Sequence, residues 1–128
     1  MLSSCATKKT AEFYFQQGKN EAVQTNAYVA IENFTKAIKK NPNYIEAYME
    51  RASVNVSIDS LMNAIRDYDS VLVKTNKNDY ENKGKLYLKK GDAYYGLSED
   101  TLACRCYTDA KNMNNNTAWN RLRDRCKK

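Results

Sequence analysis

Histidine is absent from the 128 residues. That removes the usual general base, the Ser-His and Cys-His nucleophile pairs and most zinc sites. Proline occurs once and glycine four times, so little interrupts long helices. No apolar run reaches the length a membrane-spanning helix needs. There is no Gly-rich phosphate loop, no nucleophile elbow and no paired metal-ligand motif. A charged body is missing as well. The chain carries a net charge of +6, yet residues 11–116 hold 14 basic and 14 acidic side chains. The excess lies on Lys8 and Lys9 at one end and on Arg121, Arg123, Arg125, Lys127 and Lys128 at the other. A nucleic-acid groove needs a basic stripe across the body. Basic ends alone suit, at most, an anionic surface.

The four cysteines are Cys5, Cys104, Cys106 and Cys126. Cys104 and Cys106 stand two apart on a predicted helix, point to different sides and cannot bond each other. Cys104 follows a core alanine and reads as half-buried packing. Cys106 and Cys126 read as ordinary thiols rather than ligands, with a disulfide between helices left open. Asp67 and Asp69 flank Tyr68 and read as a solvated helix face.

Tyrosine, by contrast, occurs ten times, and part of that abundance is periodic. Ala30, Ala64 and Ala103 each precede an aromatic by four residues: Phe34, Tyr68 and Tyr107. Three residues further on come Ala37, Val71 and Ala110. Twelve residues before each alanine stands a tiny residue (Gly18, Ala52 or Gly91), and four before that a tyrosine (Tyr14, Tyr48 or Tyr87). The first interval is 34 residues and the second 39. Each copy reads as two helices with one apolar face apiece, joined by a polar turn. One such hairpin cannot bury its own face, whereas stacked copies share a continuous core. Asn41-Pro42-Asn43 ends the first copy. Thr25-Asn26, Asp59-Ser60 and the segment from Ser98 to Asp100 are expected to supply N-caps. Thr75 to Asn82 carries the five extra residues, as a longer turn or as an added helical turn starting near Tyr80.

In its period and its order of small and aromatic residues the chain resembles the tetratricopeptide-repeat (TPR) family over roughly residues 11–117. It departs at Glu21 and Asn55, where the family carries an aromatic, and keeps the proline only in the first copy. The resemblance implies an all-α fold: three helix-turn-helix pairs, at about 11–44, 45–78 and 84–117, stacked in a right-handed superhelix. A C-terminal capping helix over 118–128 would follow, with Trp119, Leu122 and Cys126 as its apolar stripe, Ala118 at the edge and the basic residues mostly off it.

The family resemblance also implies a function: protein–protein interaction without catalysis or cofactor. The first helices of the pairs would line a concave groove for a peptide segment or a partner helix. The groove residues implied are Phe15, Lys19, Met49, Ser53, Lys85, Leu88, Asp92 and Tyr95, with Glu12, Ala22, Val23, Glu46, Val56 and Ser57 alongside. One TPR subset clamps a C-terminal carboxylate. Lys85 fits that pattern and Lys89 fits loosely, but Phe15, Lys19 and Glu50 do not, so this clamp is not expected. The alternatives are a soluble module that self-associates or belongs to a larger assembly, a catalytic accessory, and nucleic-acid binding through the basic ends.

Leu2-Ser3-Ser4-Cys5 resembles a bacterial lipobox, in which the cysteine becomes lipidated after cleavage. This implies a lipid-anchored protein on the periplasmic side of a bacterial envelope, with residues 1–10 as a tether. Only Met1 precedes Leu2, where such a signal has a basic start and an apolar segment. A frayed terminus with an incidental cysteine and a cytoplasmic location is the competing reading.

Overall fold

A computed structural model describes residues 8–127; Cys5 and its lipobox-like neighbours lie outside the described residues. Among the described residues seven helices follow one another: α1 (Ala11–Val23), α2 (Ala27–Lys40), α3 (Ile45–Ser57), α4 (Leu61–Lys74), α5 (Tyr80–Gly96), α6 (Asp100–Asn112) and α7 (Asn116–Arg125). Among the described residues there is no strand, and no helix is long and apolar enough to cross a membrane. The fold is therefore all-α, as the repeat pattern implies.

Packing is almost entirely between sequence neighbours. α1 pairs with α2, α3 with α4 and α5 with α6, and each pair meets the next through α2–α3, α4–α5 and α6–α7. The repeated residues are the core. Ala30, Phe34, Ala37, Ala52, Ala64, Tyr68, Val71, Ala103, Tyr107 and Ala110 are all buried. The tiny residues set the spacing within a pair. A Cβ added at Gly18 would lie 2.6 Å from Phe34 Cε1, and one at Gly91 would lie 2.6 Å from Tyr107 Cε1. At these two positions the aromatic ring lies close against the helix, where a methyl group has no room.

All four glycines lie within helices, and none has positive φ. The left-handed turn positions go instead to Thr25 (φ 64°), Asp59 (59°), Ser98 (61°) and Asn114 (61°). Each closes its helix in the same way. The Thr25 N–H donates to Ala22 O and the next N–H, of Asn26, to Glu21 O, and the three later turns repeat this. That pattern is a Schellman motif, whose left-handed residue is usually glycine. Gly18 and Gly91 are needed for close packing within the pairs, and the turns carry side chains at a conformational cost.

Capping departs from expectation. Thr10, Asp79 and Asn115 accept backbone N–H bonds at the starts of α1, α5 and α7. Asn26, Ser60 and Glu99 occupy the N-cap positions of α2, α4 and α6 but make no side-chain cap. Each already closes the preceding helix through its own N–H, and the Ser60 hydroxyl accepts instead from Asn63 Nδ2 at 2.8 Å.

Thr75 to Asp79 form the turn, and most of the added length is taken up as helix. α5 has 17 residues where α1 and α3 have 13, about one added turn, and it begins at Tyr80.

Three sequence readings need correction. Asp67 is not on a solvated face. It is buried and receives Arg51 Nε at 2.9 Å and Nη2 at 2.6 Å, while Arg51 Nη1 donates to Thr35 Oγ1. This ties α2, α3 and α4 together. Cys126 is not an ordinary thiol: it forms a disulfide with Cys104, while Cys106 is free and buried. Closing that loop, with its sequence separation of 22, restricts the unfolded chain by about 3 kcal/mol.

The third correction concerns α7. Ala118 is its fully buried residue and Trp119 is 57% exposed, with Lys111 Nζ 4.1 Å above the indole. Arg121 and Arg125 turn inward rather than away. Where an alanine can approach α6 closely, the bulky indole is left outside.

Two substitutions test this packing by urea unfolding. Gly91→Ala should cost about 1–3 kcal/mol. Gly96→Ala, which meets only the flexible end of Leu61, should cost under about 1 kcal/mol; equal losses would show that the ring contact is not special. Thr25→Gly should gain about 1 kcal/mol by relieving a β-branched residue at positive φ, and a loss would remove that account of the turn.

Candidate partner-binding site

The added turn of α5 carries its first residues past the end of α4, and an open groove forms beside them. Its cavity of about 380 Å³ is lined by Ile45 and Met49 of α3, by Val71 and Lys74 of α4, and by Leu86, Lys85 and Lys89 of α5. Thr75, Asn76, Asp79 and Asn82 close its upper edge. The floor is apolar and part of the α3–α4–α5 core, since Val71 and Leu86 are buried. Three lysines border it. Lys85 is paired to Glu81 at 2.6 Å, one turn back along the helix. Lys74 leans over Tyr48, its Nζ 5.6 Å from the ring centre.

The edge is held by short local bonds. Asp79 accepts from the Asn82 N–H at 3.1 Å and from Asn82 Nδ2 at 2.7 Å. Those bonds hold the Asp79 carboxyl below its ordinary pKa, so it stays charged at the N-terminus of α5. Asn76 Oδ1 accepts the Asn78 N–H at 2.9 Å and shapes the turn before it.

Of the residues the sequence implied, Met49 and Lys85 line this groove. Lys19 and Ser53 are exposed and Leu88 is half-buried, but none of the three borders the groove. Phe15 is buried, its ring 5.9 Å from Phe34 and 4.8 Å from Tyr44. It packs between α1, α2 and the turn before α3. Asp92 and Tyr95 belong to a different cluster, under α7. Asp92 receives Arg121 Nε at 2.9 Å, Arg125 Nη1 at 2.7 Å and the Tyr107 hydroxyl at 2.9 Å. The Arg125 guanidinium lies 4.2 Å from the Tyr95 ring centre.

The sequence reading did not find Ile45, Lys74, Thr75, Asn76, Asp79 and Asn82 as groove residues. Lys74 to Asp79 come from the end of α4 and the turn after it, and Ile45 and Asn82 from the starts of α3 and α5, whereas the groove register follows the small residues Gly18, Ala52 and Gly91 along the first helices alone. The five extra residues before the third copy were the available signal.

Two tyrosines are held neutral to unusually high pH. Burial, followed by its bond to Asp92, pushes Tyr107 up to about 12. Burial, followed by its bond to Glu12, does the same for Tyr44. The unfolded chain ionises both near their ordinary value of 10. Their contribution to stability is therefore complete below pH 10 and is lost as pH rises from 10 through 12. Denaturant midpoints measured across that window should fall for the wild type and fall less for Tyr107→Phe; identical slopes would contradict the assignment.

No family model matches the chain. Among curated proteins it is 21% identical over 122 residues to human Protein SGT1 homolog, covering 95% of this chain and 32% of that protein. It is 29% identical over 86 residues to mouse DnaJ homolog subfamily C member 7, covering 65% of this chain and 17% of that protein. The chain thus spans about a third of the first relative and a smaller part of the second. Solved structures are similar over most of the chain. The N-terminal domain of stress-induced protein-1 (STI-1) from C. elegans matches with a TM-score of 0.83 at 17% identity, covering 91% of this chain and 94% of that one. The first TPR of Spaghetti (RPAP3), solved bound to an HSP90 peptide, matches with a TM-score of 0.73 at 21% identity, covering 96% of each. MamA matches with a TM-score of 0.73 at 23% identity, covering 83% of this chain and 59% of that one. These likenesses establish a TPR fold.

Proposed function

We propose that this protein is a peptide-binding interaction module, an adaptor without chemistry of its own, whose partner lies in the α3–α5 groove. The observation that carries this reading is the groove itself, with an apolar floor from Ile45, Met49 and Leu86 and a rim bearing Lys74, Lys85 and Lys89. An extended segment with apolar side chains and flanking acidic residues is its chemical complement. The first TPR of RPAP3 was solved bound to an HSP90 peptide and the TPR2B domain of yeast Sti1 in a complex with pHsp70, both on the same fold, which supports a peptide ligand without identifying it. Phe15 and Asp92 serve internal contacts, so the groove is narrower than the family resemblance implies and centres on Met49 and Lys85.

We place the protein at a bacterial envelope, tethered through Cys5. The lipobox-like Leu2-Ser3-Ser4-Cys5 motivates this, and the Cys104–Cys126 disulfide supports it, because such bonds persist mainly in oxidising compartments. Mass spectrometry of the protein purified from its host would show acyl chains on Cys5; an unmodified thiol there would remove the tether.

Fluorescence polarisation tests the groove. A labelled peptide alternating Glu with Leu and Met should bind saturably, and the same peptide with Lys in place of Glu should not. Met49→Glu or Lys89→Glu should weaken binding by roughly tenfold or more, whereas Lys40→Glu, on α2, should not. Amidating the peptide's C-terminus should leave the affinity unchanged, since a terminal-carboxylate clamp is not expected. Binding that is lost equally in all three variants would contradict the site.

A further inference from the structure

α7 is the least anchored helix of the fold. It has ten residues, packs on α6 and buries only Ala118 completely. A helix of that length is not stable alone in water. Its far end is held by two features next to each other in sequence. Cys126 is bonded to Cys104 of α6, and the preceding residue, Arg125, reaches Asp92, the Tyr107 hydroxyl and the Tyr95 ring. The ion pairs are partly exposed: Arg121, Arg125 and Asp92 keep 34%, 27% and 37% of their side-chain surface in solvent. Water and salt screen such pairs, so they hold a helix weakly on their own. The bond that fixes Cys126 is what keeps Arg125 over Asp92 and Tyr95. Both bonded cysteines are partly exposed, while Cys106 is buried. The disulfide is thus within reach of a reductant, and Cys106, already a thiol and buried, takes no part.

We propose that the Cys104–Cys126 disulfide is a redox latch that decides whether α7 stays docked on the third helix pair, with its arginines on Asp92 and Tyr95. A dithiol reductant opens it. One reductant thiolate attacks a sulfur of the pair to give a mixed disulfide. The second thiolate resolves that species, leaving the reductant as a disulfide. Two electrons and two protons pass to Cys104 and Cys126, which become thiols. In a stack stabilised by neighbour contacts the terminal element opens without the rest, so the six paired helices keep their packing. Opening frees the Asp92 carboxylate and the Tyr107 hydroxyl from the arginines and lifts Arg125 off the Tyr95 ring, while the Tyr107 ring stays packed on Gly91. This inference rests on the geometry of α7 alone and stands whether or not the α3–α5 groove binds a peptide.

Hydrogen exchange read by mass spectrometry on the full chain, with and without dithiothreitol, tests the latch. Thiol counting confirms complete reduction. Amides of α7 should then exchange faster by on the order of 100-fold, while α1 to α5 stay as protected as before. Cys126→Ser should show the same selective opening without reductant, and reoxidation of the wild type should restore protection. Trp119, the single tryptophan, lies on α7, so its fluorescence anisotropy should fall in step. Unchanged α7 protection after complete reduction would overturn the proposal. Protection lost equally from all helices would also overturn it, because the bond would then be a general staple.

Discussion

The contact of an aromatic ring against a helix with almost no side chain is what the rest of this structure depends on. Phe34 lies on Gly18 and Tyr107 on Gly91 so closely that a methyl group cannot be inserted. Ala52 and Tyr68 occupy the same places in the middle pair and share one buried cluster. The contact fixes the separation of the two helices in a pair and the rotation of each about its axis. Those rotations decide which residues are left for the next pair and which for solvent. The turns carry a separate strain, since Thr25, Asp59, Ser98 and Asn114 close the Schellman motifs in the left-handed conformation that glycine adopts more easily.

From that packing follows the groove. The third pair differs from the second in the length of its first helix, 17 residues against 13. Beside the added turn, Ile45, Met49 and Leu86 are left as an open apolar floor between Lys74, Lys85 and Lys89. The neutral repeat body gives no hint of this, because the lysines are balanced elsewhere, as Lys85 is by Glu81. What matters to a ligand is the local arrangement rather than the net charge of +6.

Much of the fold was legible in the sequence because a repeat states the same constraint several times. The buried faces and the three pairs could be read from spacing alone, while the added helical turn near Tyr80 was one of two readings that the spacing left open. The site was less legible, since groove residues lie outside the repeated set. Two failures have specific physical causes. Asp67 looked solvated because its partner Arg51 is on another helix, and no local spacing reports that contact. On α7, helical periodicity selected Trp119, whereas continuing the repeat register would have selected the arginines. Arg121 stands eleven residues after Ala110, as Tyr48 does after Ala37, and Arg125 takes the place of Ala52. Both turn toward Asp92, as that register implies. The Cys104–Cys126 bond follows from the same docking of α7.

The account is tested most directly at Gly18 and Phe34 with a double-mutant cycle in urea. If the ring against bare backbone sets the pair, Gly18→Ala and Phe34→Leu should each destabilise. Combined, they should cost less than the sum of the two by about 1 kcal/mol or more, because the smaller side chain makes room for the methyl group. Additivity within about 0.5 kcal/mol would mean that the two residues do not share a contact, and would contradict the register on which the stack is built.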